Sequence, residues 1–165
     1  MVGRFQPFHM GHFKVVQEIL AEAETVIIGI GSSQYSHKPE NPFTSDERHL
    51  MISRSLELEG IENFSIVPIP DIHNYPKWVA HVKSLVPSFD IVYSKSELTS
   101  KLFKEAGHEV KEPYLYDRKR YAGTEVRKRI LEGNDWHSLV PEGTRLVIEE
   151  IDGISRLKDI MEEIP

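Results

Sequence analysis

Two histidines, His9 and His12, bracket Gly11 at the threshold of an amphipathic helix, in the run Gly3-Arg4-Phe5-Gln6-Pro7-Phe8-His9-Met10-Gly11-His12. These types at this spacing suit a phosphate chain. A backbone that approaches phosphate oxygens closely needs a residue without a side chain, and Gly11 supplies one where the helix starts. The first turn, from about His12 through Val15, Val16 and Ile19, is expected to offer unpaired N–H groups and the positive end of its dipole to an anion. His9 and His12 add donors on the same side, and Arg4 adds a fixed charge whose planar fork can grip oxygens. The bare spacing also fits two other readings. A His-x-x-His pair can share a zinc ion, although further ligands would have to come from scattered residues and cysteine is absent. Two surface histidines beside a turn glycine need no ligand at all.

A second cluster with the same chemistry is Tyr121-Ala122-Gly123-Thr124-Glu125-Val126-Arg127-Lys128-Arg129. Gly123 and Thr124 fall where a helix would begin, so backbone N–H groups and the Thr124 hydroxyl can meet phosphate. Arg127 follows one turn along the same face. Taken alone, this is equally an N-capped helix with a solvated basic face. Arg48 reads as a partner in a surface ion pair. Trp78, in register with Val79, Val82 and Leu85, reads as a core residue.

The elements that must position these residues alternate short apolar runs with longer helical patterns, the rhythm of a parallel sheet covered on both faces. Thr25–Ile30 is the clearest strand, followed by Phe64–Val67 and Ile91–Tyr93. Thr44-Ser45-Asp46-Glu47 is a capping box that opens a helix to about Leu58. Helices are also expected around Trp78–Leu85, over Ser96–Ala106 and Gly123–Leu131, and in the closing stretches from Pro141 to about Ile151 and from Ile154 to Ile160. Only Met1 and Val2 precede Gly3, so the first strand is expected to be clipped relative to the roughly five residues of an ordinary one. The economical architecture is one Rossmann-like α/β domain over residues 1–165, with a helical C-terminal segment.

Composition agrees with that reading without demanding it. The chain has 20 Lys and Arg against 26 Asp and Glu, a formal charge of −6, which argues against nonspecific nucleic-acid binding. With no cysteine, neither a disulfide scaffold nor a thiol nucleophile is available. No stretch approaches the roughly 18 apolar residues of a membrane span, so a soluble cytoplasmic protein is the default.

Gly-Arg-Phe-Gln-Pro-Phe-His-x-Gly-His resembles the signature of the nucleotidyltransferases related to class I aminoacyl-tRNA synthetases, and within them the archaeal-type nicotinamide mononucleotide (NMN) adenylyltransferases. The likeness continues through Ile28-Gly29-Ile30-Gly31-Ser32, Glu40-Asn41-Pro42-Phe43-Thr44, Asp71-Ile72 with Trp78, Phe89–Ser94 and Gly123–Arg127. It implies in-line transfer of the adenylyl group of ATP to NMN, giving NAD and pyrophosphate, with Mg²⁺ or another divalent cation held mainly by the triphosphate. It implies that His12, His9 and Arg127 are catalytic, and that Arg4, Phe5, Gln6, Gly11, Gly123 and Thr124 join them around ATP. Asp71, Ile72, Trp78 and Ser32 are implied at the nicotinamide, and a homo-oligomer, with a hexamer as the candidate, is the implied assembly. The chain departs from common family residues at Ala122 (often serine), Tyr75 (often asparagine) and Lys95-Ser96 (often Gly-Asn). Two alternatives stay open: a sister nucleotidyltransferase with another phosphate acceptor, and a nucleotide-binding regulator without turnover.

Overall fold

Val26–Ile30 alternates between packing against helices on one face and the other. It forms β2, the central strand of the larger of two parallel ladders, in a computed structural model that describes residues 1–165. In chain order the elements are β1 (Val2–Gly3), α1 (Met10–Glu22), β2 (Val26–Ile30), α2 (Ser45–Leu58), β3 (Phe64–Pro68), α3 (Tyr75–Leu85), β4 (Ile91–Tyr93), α4 (Glu97–Glu105), β5 (Glu109–Lys111), α5 (Gly123–Glu132), α6 (Glu142–Glu150) and α7 (Gly153–Glu162). A 3₁₀ turn at His137–Leu139 leads into α6. No helix is long and apolar enough to cross a membrane.

All strand pairs are parallel. β2 sets Gly29 opposite Val2 and Ile30 opposite Gly3 on one side, and Val26 through Ile30 opposite Phe64 through Pro68 on the other. β4 and β5 form a separate ladder, with Ile91 opposite Glu109 and Tyr93 opposite Lys111. Where the sequence suggests one continuous sheet, the hydrogen bonding therefore resolves into two ladders. The physical reason is β1, which has two residues, pairs with β2 alone and leaves nothing long enough to join β2 to β4. β5 escapes prediction because Glu109-Val110-Lys111 carries one apolar residue between charges.

The core gathers on β2, where Val26, Ile28 and Ile30 meet Val15, Val16 and Ile19 of α1 and Met51, Ile52 and Leu56 of α2. Each such side chain stabilises the fold by about 2 kcal/mol through the area it removes from water. Val147 and Ile148 of α6 join the same cluster, and α6 can lie against α2 because Gly143 has no Cβ. A Cβ there would stand 2.7 Å from the Arg54 carbonyl carbon and the Ser55 Cα, which are backbone atoms that cannot step aside. A smaller cluster of Ile69, Val79, Val82, Val92 and Phe103 packs under α3 and α4. Between the two ladders lies an apolar cavity of about 430 Å³ whose walls include Val2, Ile27, Ile69, Val92 and Phe103.

The capping box forms as its residue types require: Thr44 N–H donates to Glu47 Oε1 at 2.8 Å and Glu47 N–H to Thr44 Oγ1 at 3.1 Å. Arg156 of α7 then grips both Glu47 oxygens, at 2.6 and 2.8 Å. Burial pushes the Glu47 carboxyl up, but the hydrogen bonds from Arg156 and Thr44 outweigh it and hold the group below its ordinary range.

Candidate active site

The turn from β1 to α1 is built around Phe5, which adopts a left-handed backbone (φ 53°) and is almost fully buried. That conformation is costly for a non-glycine residue and persists where its surroundings over-determine it. Here the Phe5 ring lies over Gly3, where a Cβ would come 3.0 Å from it, and meets the His12 ring edge-on at 4.7 Å. Gln6 is buried and locks the turn to the α2 loop, since its side chain donates to the Phe43 carbonyl and accepts from the Phe43 N–H, both at 3.0 Å.

Helix α1 starts at Met10, and its N-cap is His9. The His9 Nδ1 accepts from the Gly11 N–H at 3.1 Å and the His12 N–H at 3.4 Å, while His12 Nδ1 accepts from the His9 N–H at 3.2 Å. The N–H groups of Gly11 and His12, which the sequence offers to an anion, are thus paired within the turn itself. This corrects the expectation of an open helix end at α1, and the donors left to meet a ligand are the imidazole Nε2–H groups. Gly11 has a second reason to be glycine: a Cβ would stand 2.9 Å from the His9 ring and 3.1 Å from Tyr121 Cβ.

The two imidazoles stack at 3.6 Å between centroids. His9 is 7% exposed, and burial, reinforced by the charge of Lys95, lowers its pKa from 6.5 to about 3. Burial lowers His12 as well, with the charges of His9 and Lys95 acting in the same direction. Both rings are therefore neutral near pH 7.

The N-terminus of α5 docks onto this turn. Arg127 Nη1 donates to the Gln6 carbonyl at 2.7 Å, and Gly123 makes room for the contact, since a Cβ there would come 3.0 Å from Arg127 Nη1 and 3.1 Å from the Gln6 oxygen. Ala122 at the N-cap provides no side-chain acceptor, so the first turn of α5 keeps its N–H groups without the side-chain cap that α1 has. Thr124 is exposed beside them. Burial and then the nearby charge of Arg4 lower the Arg127 pKa, with Glu40 opposing. Two guanidiniums held near one another gain when an anion comes between them.

Arg48 overturns its sequence expectation. It is 0% exposed and pairs with no carboxylate. Its guanidinium instead donates to five carbonyls: Thr44 at 3.1 Å, Arg4 at 2.9 Å, Gly31 at 3.0 Å, and Ser32 and Tyr35 at 3.3 Å each. Burial lowers its pKa to about 10, which leaves it cationic. One side chain thereby ties the Arg4 turn, the loop after β2 and the start of α2 into one body. The signal for it was available, because Arg48 falls in the same buried stripe of α2 as Met51, Ile52, Ser55 and Leu56.

The implied nicotinamide residues lie on a neighbouring wall. Gln34 clips the loop after β2 to the loop after β3, donating to the Asp71 carbonyl at 2.8 Å and accepting from the Asp71 N–H at 2.9 Å. Ser32, held by Arg48, and exposed Ile72 sit on these two loops. Trp78, half-buried on α3, meets Phe103 edge-on at 5.5 Å. The Arg4 and Arg127 positions and the Ser32–Asp71 wall both join the His9–His12 turn through main-chain bonds to Arg48 and Gln6. A cavity of about 350 Å³ is lined by His9, Gly11, His12, Lys95, Tyr116, Arg118 and Tyr121. Of these, Tyr116 carries no signal in the sequence, Lys95 stands out there only as a departure from the common family residue, and Arg118 opens the basic run Arg118-Lys119-Arg120, which reads as a lining of the ATP entrance or equally as a solvated loop.

Parallel strands with helix N-termini and phosphate-suited side chains gathered at their C-terminal ends define a Rossmann-like nucleotide-binding class. Residues 1–129 match the family described as cytidylyltransferase-like. The nicotinamide-nucleotide adenylyltransferase of Methanolobus tindarius is 49% identical over 159 residues, covering 96% of this chain and 91% of its own length. That of Archaeoglobus fulgidus is 51% identical over 164 residues, covering 96% of this chain and 94% of its own. Among solved structures, a bifunctional NMN adenylyltransferase/ADP ribose pyrophosphatase from Francisella tularensis, complexed with AMP and an Mn ion, shares the fold with a TM-score of 0.78 at 24% identity. That match covers 99% of this chain and 51% of the other. The chain belongs to the cytidylyltransferase-like family, alongside these archaeal adenylyltransferases.

Proposed function

We propose that the chain is a nicotinamide-nucleotide adenylyltransferase, joining NMN and ATP to give NAD and pyrophosphate. The observation that carries the reading is the 2.7 Å bond from Arg127 to the Gln6 carbonyl, which supports it by seating the α5 turn beside the His9–His12 turn as one phosphate site. In the reaction a phosphate oxygen of NMN attacks the α-phosphorus of ATP in line. The bond from that phosphorus to the bridging oxygen of the β-phosphate breaks, and pyrophosphate leaves with the electron pair. A phosphate monoester is already largely dianionic near neutral pH, so no general base is needed and catalysis is positioning plus stabilisation of charge.

In this reading the Nε2–H of His12 donates to the α-phosphate and its transition state, and His9 donates beside it. Arg4, Arg127, Gly123 and Thr124 hold the leaving pyrophosphate, while Phe5, Gln6 and Gly11 shape the turn around it. Ser32, Asp71, Ile72 and Trp78 form the acceptor wall. The divalent cation, Mg²⁺ in this proposal, is assigned to the triphosphate as part of the substrate, as magnesium is commonly bound. The assembly proposed from the resemblance is a cytoplasmic homo-oligomer, and light scattering reads its size.

Pyrophosphate release with ATP, Mg²⁺ and a panel of phosphate acceptors tests the reading. NAD formation from NMN is the expected result. Turnover with another phosphate but not NMN would transfer the site to a sister reaction, and ATP binding without turnover on any acceptor would favour a regulator.

A further inference from the structure

We propose that Lys95 is a ligand of the ATP phosphates, reaching them from the β4 side of the cavity that it shares with His9 and His12. The inference rests on the reading of His9 and His12, which line that cavity, as donors to the ATP phosphates, and adds a residue beside them. Lys95 follows β4 by two positions, and its side chain lines the 350 Å³ cavity together with His9, Gly11, His12, Tyr116, Arg118 and Tyr121. No Asp or Glu is among the residues lining this space.

The ammonium has no anionic partner. Lys95 is half-buried yet forms no ion pair and no side-chain hydrogen bond, and its contact is a cation–π one, with the Tyr116 ring centre 5.9 Å away. Burial lowers its pKa, and Arg118 adds to the effect, while Glu18 and Glu112 oppose it from outside the cavity. An unpaired, partly desolvated cation beside a second one is unfavourable until an anion arrives. The charge also reaches the histidines, since Lys95 lowers both His9 and His12.

A division of labour follows. The two imidazoles, each with Nδ1 committed to the α1 cap, present neutral Nε2–H donors that fix position. Lys95 supplies formal charge to the same oxygens, which the capped end of α1 does not.

Calorimetric titration of Mg²⁺–ATP into the wild-type protein, Lys95→Met and Lys95→Arg tests this without requiring turnover. Lys95→Met is expected to weaken ATP about tenfold or more, the effect of losing one charge-assisted contact of about 1.4 kcal/mol. Lys95→Arg, which keeps the charge, is expected to stay within about threefold of wild type. In steady state the methionine variant raises the KM for ATP and leaves that for NMN within about twofold. An unchanged ATP affinity in Lys95→Met, an equal loss in Lys95→Arg, or a defect confined to NMN would overturn the proposal. If wild type binds ATP but makes no NAD, the proposed function fails while Lys95 is still judged by the titration. If wild type does not bind ATP, both fall.

Discussion

His9 and His12 cap one another: the His12 N–H donates to His9 Nδ1 at 3.4 Å, and the His9 N–H donates to His12 Nδ1 at 3.2 Å. A ring nitrogen that accepts cannot carry a proton, so each neutral imidazole carries its proton on Nε2. The usual capping box uses a hydroxyl and a carboxylate for this exchange. With imidazoles in both roles, the cap also fixes the tautomer and orientation of two donors. The same turn that starts α1 thereby prepares the two donors proposed to meet phosphate, and neither ring is poised as an acid or a base near pH 7.

His12→Ala is expected to lower kcat by about a hundredfold or more, because one positioned donor to a transition-state oxygen is worth roughly 3 kcal/mol. kcat/KM for ATP should fall in the same proportion, the mark of an interaction made only in the transition state. Steady-state kinetics at saturating NMN read both constants. A raised KM with unchanged kcat would reduce His12 to uniform binding.

Acid should destabilise this protein earlier than its carboxylates alone require. The His9 pKa falls from 6.5 to about 3 on folding, through burial first and the Lys95 charge second, and His12 moves in the same direction. As pH drops below about 6.5 the unfolded chain takes up protons that the folded site refuses, so stability is lost on the acid side, by up to about 1.4 kcal/mol per pH unit for each histidine. The loss attributable to His9 levels off near pH 3. Urea unfolding at pH 7, 6 and 5 measures the slope above the range where carboxylates titrate. His9→Gln/His12→Gln should flatten it.

The elements that carry the candidate site are largely legible in the sequence. The decapeptide from Gly3 to His12 and the run from Gly123 to Arg127 are local signals, in which types and spacing alone mark two helix starts, and helices begin at Met10 and Gly123. The capping box at Thr44 and Glu47 is local too, and it forms. What was not legible depends on contacts far apart in sequence. Arg48 looked like a surface charge because four of its five acceptors are main-chain carbonyls from other loops, which carry no sequence signature, and its place in the buried stripe of α2 was the one local hint. The pairing of α1's first N–H groups with His9 was hidden for a related reason, since histidine is an uncommon N-cap. One continuous sheet was expected because strand residues show apolar runs, but ladder continuity depends on the length of β1, which ends after two residues.

Arg48→Met is expected to cost about 3 kcal/mol or more in unfolding free energy, because five main-chain carbonyls gathered around a buried side chain lose their charged donor. Arg48→Lys should recover only part of the loss, since an ammonium presents three donors from a single point and cannot span three segments. Denaturant melts of both variants give the comparison. Near-complete rescue by lysine would show that charge alone suffices and that the fork geometry is dispensable.

Trp78 separates a ligand wall from a core residue. It packs edge-on against Phe103 at 5.5 Å, yet it remains only half-buried. If its ring stacks on the electron-poor pyridine of NMN, Trp78→Ala raises the KM for NMN by about tenfold or more, the loss of an aromatic contact of about 1.5 kcal/mol. The KM for ATP then stays within about twofold, and kcat falls less than the acceptor KM rises. Trp78→Phe should keep most of the acceptor affinity, because a smaller ring still offers a face. Thermal melts of the same variants supply the counter-test. A core role predicts that Trp78→Ala lowers Tm by several degrees while leaving the ratio of the two KM values unchanged, since losing packing against Phe103 affects both substrates alike.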